Sequence, residues 1–212
     1  MESIRTVNKK RVTLIGPIAS GKTTLFHRLK GDYSFVSGCA SIGIDFSNIN
    51  LSFNNKQYPV QLFDTSGRKY TFSITAECIK IADLILLLFR EETMQEVTED
   101  FYPLYIKYRK ESSKLIFVED GVKEENQCKL TERQKQLFLE KVKQNYEYYI
   151  QIDCKAIYNI DTLKELIASH VFDYYDNYDN YYIVIRKRKK IIGKGSITLR
   201  TQKNKKINTS CV

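Results

Sequence analysis

Eight consecutive residues of the 212-residue sequence, Gly16-Pro17-Ile18-Ala19-Ser20-Gly21-Lys22-Thr23, fit the pattern G-x-x-x-x-G-K-[ST]. Glycines let the backbone curl so that its N–H groups face a polyphosphate, and the N-terminus of a following helix adds partial positive charge. The Lys22 ammonium can then approach the β- and γ-phosphates, and the Thr23 hydroxyl can bind Mg²⁺. The pattern therefore predicts a nucleotide-phosphate site that consists of Gly16, Ala19, Ser20, Gly21, Lys22, Thr23 and Thr24.

A phosphate loop of this kind requires a strand before it and a helix after it. The sequence provides both, because Val12 to Ile15 is an apolar run typical of a strand and a helical pattern starts at Lys22. Residues Ile44 to Phe53 and Tyr58 to Phe63 predict a hairpin, and later apolar runs alternate with helical patterns. This alternation predicts an α/β fold with a mostly parallel central sheet of about six strands, one antiparallel hairpin strand and about five flanking helices.

The composition excludes several classes of protein. Hydrophobic residues make up 42% and charged residues 28% of the chain, a balance that supports a packed core and excludes wholesale disorder. The longest apolar run, Leu84 to Phe89, is far shorter than the roughly 20 residues of a membrane-spanning helix. The five cysteines are scattered with no C-x-x-C pair, which favours reduced cytoplasmic thiols over a zinc site.

Two further motifs follow the phosphate loop. Ser41-Ile42-Gly43-Ile44-Asp45-Phe46 lies twenty residues after Gly21, and Phe63-Asp64-Thr65-Ser66-Gly67 ends the predicted hairpin. Together with the phosphate loop they resemble the small GTPases of the Ras superfamily, and most closely the Rab family, which carries [ST]-I-G-[VI]-D-F and W-D-T-A-G-Q in its two switch segments. The resemblance is ungapped from about Val12 to Phe89 and looser to about Phe172. It implies a P-loop G-domain with GTP, GDP and Mg²⁺ as ligands.

The resemblance also implies a role for each matching residue. Ser41 stands where the family's switch threonine binds Mg²⁺, Asp64 would hold the ion through water, and the Gly67 N–H would bond the γ-phosphate. The implied metal site is Thr23, Ser41 and Asp64, and the implied catalytic set is Lys22, Ser41, Gly67 and Arg68. The implied effector surface consists of Ile42, Gly43, Ile44, Asp45, Phe46 and Phe63, with Cys78 in place of the third member of the Rab aromatic triad.

Arg68 departs from the family pattern. The residue after Gly67 should be the glutamine that orients the attacking water, whereas arginine offers only donors and cannot accept a proton from that water. One interpretation is slow intrinsic hydrolysis and a long-lived triphosphate state. The alternative is that Arg68 acts as an internal arginine finger that stabilises transition-state charge.

The guanine-specificity motif departs further. The family's N-K-x-D should follow the strand Leu115 to Val118, where the sequence has Glu119-Asp120-Gly121-Val122. The aspartate that accepts two hydrogen bonds from guanine is thus replaced by Val122. An apolar side chain leaves those donors unpaired, which costs roughly 1–3 kcal/mol.

The remaining base contacts are assigned by the family's S-A-K motif, which appears as Asp153-Cys154-Lys155. The aliphatic stem of Lys155 can still lie on a base face. Tyr33 and Phe35 both flank the position of the stacking aromatic, and the choice between them stays open, with Phe35 included in the nucleotide-binding set. Three interpretations stay open for this site. Guanine binds more weakly, or Asp120 or Asp153 replaces the missing acceptor, or the site prefers another base or none.

The positive charge of the chain is concentrated near one end. The formal net charge is +9, yet ten Lys or Arg and no acidic residue lie between Arg186 and Lys206, so the remaining residues carry about −1. We therefore expect a G-domain over residues 8–175 and a Tyr-rich linker with a basic tail over residues 176–212. Cys211 is a candidate for lipidation, although a C-a-a-X box would need its cysteine at Thr209.

The basic tail has three interpretations. It is a solvated tail, a segment that attaches to an anionic membrane surface with or without a lipid, or a segment that binds nucleic acid. Membrane attachment is favoured because no DNA- or RNA-binding module accompanies the tail, and no nucleic-acid partner is expected.

Together the motifs predict a Rab-like small GTPase, a nucleotide-dependent switch in vesicle traffic that is cytoplasmic and peripheral on endomembranes. Its partners would be effector proteins, GTPase-activating proteins and exchange factors. A second interpretation is a scaffold of the same fold that binds effectors with constitutive, weak or no nucleotide. Arg68 and Val122 favour the scaffold. The retained phosphate and metal residues oppose it, namely Lys22, Thr23, Ser41 and Asp64. A third, a nucleic-acid binder with a basic tail, is based on charge alone.

Overall fold

The central sheet contains six strands in the part of the chain that the computed structural model describes, namely residues 9–35, 41–53, 55–121, 132–142, 146 and 148–171. The strands lie in the order β2-β3-β1-β4-β5-β6, and β2 alone runs antiparallel to its neighbour. Their bounds are β1 (Lys10–Ile15), β2 (Ile44–Phe53), β3 (Lys56–Thr65), β4 (Leu84–Phe89), β5 (Lys114–Asp120) and β6 (Tyr148–Ile152). The predicted mostly parallel sheet with one antiparallel strand is thereby confirmed.

Five helices flank this sheet within the described residues, as the sequence predicts. They are α1 (Lys22–Lys30), α2 (Phe72–Ile81), α3, α4 (Glu132–Lys141) and α5 (Ile160–Val171). Helix α3 comprises three consecutive pieces, Met94–Glu96, Val97–Phe101 and Tyr102–Tyr108, of which the middle piece is π-helical. None of the helices described is long and apolar enough to cross a bilayer.

Apolar side chains pack on both faces of the sheet. All six residues of β4 are buried, and because neighbouring side chains of a strand point to opposite faces, Leu84, Leu86 and Leu88 join one core while Ile85, Leu87 and Phe89 join the other. The first core includes α1 and α5, and the second includes α2, α3 and α4. Strand β4 is thus covered on both sides, as its continuous apolar run predicts.

The five parallel strands end at the same edge of the sheet. Strand β1 lies between β3 and β4, so the chain places β2 and β3 on one side of β1 and then crosses to place β4, β5 and β6 on the other side. Ligands of open α/β sheets bind in the crevice at such a point, outside the carboxyl ends of the strands. The residues that directly follow Ile15, Thr65, Phe89, Asp120 and Ile152 lie at this edge. Val122, and the linker and tail predicted for residues 176–212 with Cys211, lie outside the described residues.

Candidate functional site

The loop between β1 and α1 has the backbone curvature that a phosphate loop requires. Gly16, Ala19 and Gly21 have φ values of 146°, 61° and 94°, in the region that favours glycine. A Cβ atom at Gly16 would lie 2.2 Å from the carbonyl oxygen of Leu88, so only glycine fits there. Gly21 is the N-cap of α1 and has no side chain to cap the first turn, which leaves the N–H groups of this turn directed at the loop.

Lys22 folds back over the same loop. Its side chain is 6% exposed, and its Nζ atom donates to the carbonyl oxygen of Pro17 at 2.5 Å and to Oγ of Ser20 at 3.3 Å. Burial lowers the pKa of the Lys22 ammonium to about 8, and the Asp64 and Glu96 carboxylates oppose this shift. The Lys22 ammonium is therefore a buried cation that has lost most of its hydration. The negative charge of a bound phosphate group would stabilise it in the charged form.

Thr23, Ser41 and Asp64 come together from three separate segments. The Thr23 hydroxyl oxygen lies 2.9 Å from Oγ of Ser41, and it donates to Oδ2 of Asp64 at 2.7 Å. The second oxygen of Asp64, Oδ1, is buried and has no hydrogen-bond partner among the described residues. Burial raises the pKa of the Asp64 carboxyl to about 6, against the opposing effects of the Thr23 hydrogen bond and the Lys22 charge.

These three side chains fit a Mg²⁺ ion. Two hydroxyls and one carboxylate form an all-oxygen donor set, which is the chemistry that Mg²⁺ prefers when phosphate and water complete its coordination. The unpartnered Oδ1 of Asp64 is a further acceptor that a metal-bound water can satisfy. The sequence-based metal set therefore occupies one place in the fold.

Gly67 brings the segment after β3 against the phosphate loop. A Cβ atom on Gly67 would lie 2.5 Å from the backbone nitrogen of Ile18 and 2.8 Å from the carbonyl oxygen of Gly16. This close approach requires glycine and sets the Gly67 backbone beside the loop that would hold the phosphates. The next residue, Arg68, directs its guanidinium toward the ring of Tyr70, with Cζ 5.9 Å from the ring centroid. Nε of Arg68 is buried and has no hydrogen-bond partner within the described residues.

On the base side, both candidate replacement acceptors are already engaged. Oδ1 of Asp153 accepts from the backbone N–H groups of Lys155 and Ala156 at 2.8 and 2.7 Å, so this carboxylate closes its own turn. Oδ1 of Asp120 accepts from the Cys154 N–H at 2.9 Å, and Oδ2 accepts from Nη2 of Arg90 at 2.6 Å. Neither carboxylate presents an unoccupied pair of oxygens to a base.

Arg90 and Arg28 are site residues that sequence reasoning missed. Arg90 follows the buried run of β4 directly, and a charged residue at that position of a parallel strand is the signal that could have identified it. Arg28 is buried on α1, one helical turn after Leu25, and it donates to the carbonyl oxygen of Cys154 at 2.8 Å. A cation on the apolar stripe of a helix is the corresponding signal for Arg28.

The two candidate stacking aromatics hold different partners. The ring of Phe35 is stacked on the imidazole of His27, with centroids 3.8 Å apart and the planes 3° from parallel. The Tyr33 hydroxyl accepts from Nζ of Lys164 at 2.9 Å. One face of Phe35 is therefore covered by a protein ring.

The other two residues of the S-A-K-like motif differ in exposure. Cys154 is buried, which raises the pKa of its thiol, and Lys155 is exposed.

The predicted effector surface is largely exposed. The side chains of Ile42 and Phe46 are 76% and 64% exposed, and Phe46 pairs with Phe63 across β2 and β3, with the ring centroids 6.3 Å apart. Gly43 and Asp45 are exposed, Ile44 is half-buried, and Cys78 is buried. Two exposed apolar residues that sequence reasoning did not include, Tyr70 and Ile74, follow in the 3₁₀ turn Lys69–Thr71 and in α2.

A phosphate loop between β1 and α1, with two further motifs at the same edge of a mostly parallel sheet, defines the class of P-loop G-domains. Residues 11–123 match the family model described as "Ras of Complex, Roc, domain of DAPkinase", and the chain belongs to this Roc family. Together with the similarities to Rab proteins given below, this match identifies a divergent Rab-like small GTPase.

The curated relatives are Ras-related proteins. Human Rab-12 is 26% identical over 159 residues, which cover 73% of this chain and 64% of that protein, so the chain spans less than two thirds of its length. Rab-19 of Xenopus laevis is 25% identical over 175 residues, which cover 78% of this chain and 80% of that protein. Rat Rab-26 is 35% identical over 81 residues, which cover 37% of this chain and 31% of that protein.

Proposed function

We propose that the protein is a molecular switch that binds GTP and GDP with Mg²⁺ and hydrolyses GTP slowly. The observation that supports this best is the convergence of Thr23, Ser41 and Asp64, in which one hydroxyl oxygen lies within 2.9 Å of both other side chains. Each residue comes from a different motif, and folding brings all three to the N-terminus of α1.

The chain's own residues supply the phosphate-binding chemistry. Lys22, buried and poorly solvated, binds the β- and γ-phosphates as a positive charge. The Gly67 N–H bonds the γ-phosphate, and Ser41 responds to it, so that both segments change when the phosphate is lost. When bound between Thr23, Ser41 and Asp64, Mg²⁺ would neutralise the charge of the phosphates.

Slow hydrolysis follows from the chemistry at Arg68. Its guanidinium has no acceptor for a water proton, and its Cζ atom lies 5.9 Å from the centroid of the Tyr70 ring. A GTPase-activating protein that supplies a water-orienting group would therefore be needed for fast turnover.

Guanine selectivity is proposed to be weaker than in other Rab-like proteins. Asp120 is engaged by Arg90 and the Cys154 N–H, and Asp153 by its own turn, so the discriminating hydrogen bonds to the guanine edge have fewer acceptors. Phosphate and Mg²⁺ contacts then supply most of the affinity.

The wider role is assigned by analogy with the Rab relatives. We propose that effectors bind the surface around Ile42 and Phe46, that exchange factors and GTPase-activating proteins act on the switch segments, and that the protein works in vesicle traffic. The basic segment between Arg186 and Lys206 would hold it peripherally on an anionic endomembrane, with or without a lipid on Cys211.

A scaffold of the same fold is the second candidate function. The engagement of Asp120 and Asp153 favours it, because a base site with fewer available acceptors fits a chain that presents its effector surface with weak nucleotide binding or none.

Nucleotide titration separates the two candidates. Purified protein would be extracted to identify any bound nucleotide, then titrated with GDP, GTP and ATP with and without Mg²⁺. Thr23→Val removes the hydroxyl that contacts Ser41 and Asp64, and we expect it to lower Mg²⁺-dependent GTP affinity by about tenfold or more. Thr98→Val is the matched control, since the Thr98 hydroxyl donates to the Gln95 carbonyl on the exposed side of α3, away from Ser41 and Asp64 in the sequence. Wild-type protein with no Mg²⁺-dependent triphosphate binding would contradict the switch and support the scaffold.

A further inference from the structure

Arg28 is a buried cation that binds three backbone carbonyls. Its side chain is 5% exposed. Nε donates to the carbonyl oxygen of Cys154 at 2.8 Å, Nη1 to that of Asp32 at 2.8 Å, and Nη2 to that of Phe35 at 3.1 Å. The planar guanidinium presents its donors in a fixed fork, which a lysine ammonium cannot reproduce.

The three carbonyls belong to two segments that are far apart in the sequence. Cys154 lies in the loop after β6, 126 residues from Arg28, whereas Asp32 and Phe35 lie in the segment that follows α1. Arg28 itself is on α1, the helix that begins with Lys22 and Thr23. One side chain therefore connects the phosphate-binding helix to the loop after β6, residues 153–159, which we call the base-side loop, and to the segment that leads into Ser41.

Other contacts hold segment 32–35 in the same place. Two cations lie over the ring of Tyr33: Cζ of Arg28 is 6.0 Å and Nζ of Lys164 is 5.5 Å from the ring centroid. His27 stacks on Phe35, and its Nδ1 lies 2.8 Å from Oδ2 of Asp32. The segment is thus fixed to α1 and α5, with Arg28 as its one link to the base-side loop among the contacts described here.

We propose that Arg28 is a positioning residue that fixes the base-side loop and segment 32–35 against α1 and thereby slows nucleotide release. A loop that is already ordered needs no further ordering when ligand binds, so its contacts contribute fully to the lifetime of the complex. Loss of the fork would loosen the loop and leave the phosphate-binding turn unchanged. This inference depends on the proposed nucleotide binding.

The first test measures the ordering directly, in nucleotide-free protein, by amide-resolved hydrogen exchange of wild type, Arg28→Met and Lys114→Met. The N–H groups of Ser34, Lys155 and Ala156 bond to carboxylates within the two segments, so they report on local order. Lys114→Met is the matched control, because Nζ of Lys114 also donates to a carbonyl, that of His170, at the opposite edge of the sheet. We expect faster exchange at these amides in Arg28→Met alone. Equal exchange in all three proteins would overturn the proposal.

The second test separates positioning from general destabilisation. Arg28→Met should release GDP about tenfold or more faster than wild type, while its affinity for inorganic pyrophosphate, which has no base, stays within about twofold. Arg28→Lys, which keeps the charge without the fork, should release GDP at an intermediate rate and is the fallback if Arg28→Met fails to fold. Equal weakening of GDP and pyrophosphate binding would indicate a structural role only and overturn the proposal. Wild-type protein that binds no Mg²⁺–GDP would overturn the proposed function, whereas wild-type binding with equal release rates in all variants would overturn this inference alone.

Discussion

The guanidinium of Arg90 and the carboxylate of Asp120 meet at the ends of β4 and β5, with Nη2 of Arg90 2.6 Å from Oδ2 of Asp120. Phe89 and Glu119 are paired in the β4–β5 register, so the following residue of each strand lies beside the other. Asp120 is almost fully buried, while Arg90 is partly exposed. A buried carboxylate at the base-side edge of the site thus has its charge compensated from within the protein.

Removal of Arg90 should destabilise the fold through this carboxylate. In Arg90→Met, Asp120 would remain buried without its counter-ion, and we expect the free energy of unfolding to fall by about 2 kcal/mol, measured by chemical denaturation. The hydrogen bond from the Arg90 N–H to Oγ1 of Thr93 involves only the backbone of Arg90 and stays available in the variant.

The matched control is the double variant Arg90→Met with Asp120→Asn. Asparagine keeps an oxygen for the Cys154 N–H and carries no charge, so the double variant should recover most of the lost stability, with a coupling energy of about 1–3 kcal/mol. Losses that simply add in the double variant would contradict the ion-pair explanation.

Asp64 should make the stability of the Mg²⁺-free protein depend on pH. Its folded-state pKa of about 6 lies above the ordinary value of 3.8, so the folded state binds the proton more tightly. The penalty of the buried carboxylate is therefore absent below about pH 4, grows as the pH rises to about 6, and is fully present above that. Asp64→Asn removes this charge, and we expect it to be more stable than wild type by about 2–3 kcal/mol at neutral pH, with the difference vanishing near pH 4.

Urea denaturation at several pH values without Mg²⁺ measures this difference. Glu77→Gln is the control, because Glu77 is an exposed carboxylate on α2 whose loss should change stability by less than about 0.5 kcal/mol. With Mg²⁺ and GDP present the order should reverse, since the ion stabilises the wild type through its carboxylate. A constant difference between wild type and Asp64→Asn across the pH range would show that the carboxyl does not titrate in this way.

The sequence was sufficient for the elements that carry a strong local pattern. The apolar run of β4, buried on both faces, and the glycine-rich turn after β1 are each determined by residues within a few positions. The resemblance to the Rab family also implies that Thr23, Ser41 and Asp64 share one metal site, and their side chains do lie within hydrogen-bonding distance of one another through the Thr23 hydroxyl.

The base-side contacts could not be predicted in the same way. The pairing of Arg90 with Asp120 depends on which strands are neighbours and on their register, information that a local pattern does not contain. The sequence makes Asp153 a candidate acceptor for a base, but its carboxylate accepts from the N–H groups two and three residues later, because short acidic side chains compete for nearby backbone donors.

Lys22 should make nucleotide affinity fall at alkaline pH. Burial lowers the pKa of its ammonium from 10.5 to about 8, and bound phosphate would favour the charged form. Above about pH 8 the free protein loses this proton and must regain it on binding, so GDP affinity should fall by up to about tenfold per pH unit, while the phosphates themselves stay ionised. Equilibrium titration between about pH 7 and pH 10 measures the slope.

The folding stability should respond in the opposite direction. The penalty of burying the Lys22 ammonium is fully present below about pH 8 and is relieved as the pH rises toward 10.5, so this residue makes the unliganded protein more stable in that range.

Lys22→Met is the control for the GDP titration, and we expect it to bind GDP weakly with an affinity that does not depend on pH in this interval. An equally steep loss of affinity in Lys22→Met would assign the pH dependence to another group.

Arg68→Gln should accelerate GTP hydrolysis. Glutamine can both accept a hydrogen bond from the attacking water and donate to the phosphate, whereas the guanidinium only donates, and we expect a single-turnover rate about tenfold higher than that of wild type. Arg109→Gln is the matched control and should leave the rate unchanged. Arg109 also lies over a tyrosine ring, that of Tyr105 at 5.4 Å, but it is far from the phosphate loop in the sequence.

A rate that falls in Arg68→Gln and is retained in Arg68→Lys would instead assign Arg68 the role of an internal arginine finger, since a cation at that position would then stabilise the charge of the transition state. The two outcomes differ in sign, so a single measurement on matched, fully GTP-loaded proteins distinguishes a residue that fails to orient water from one that supplies charge.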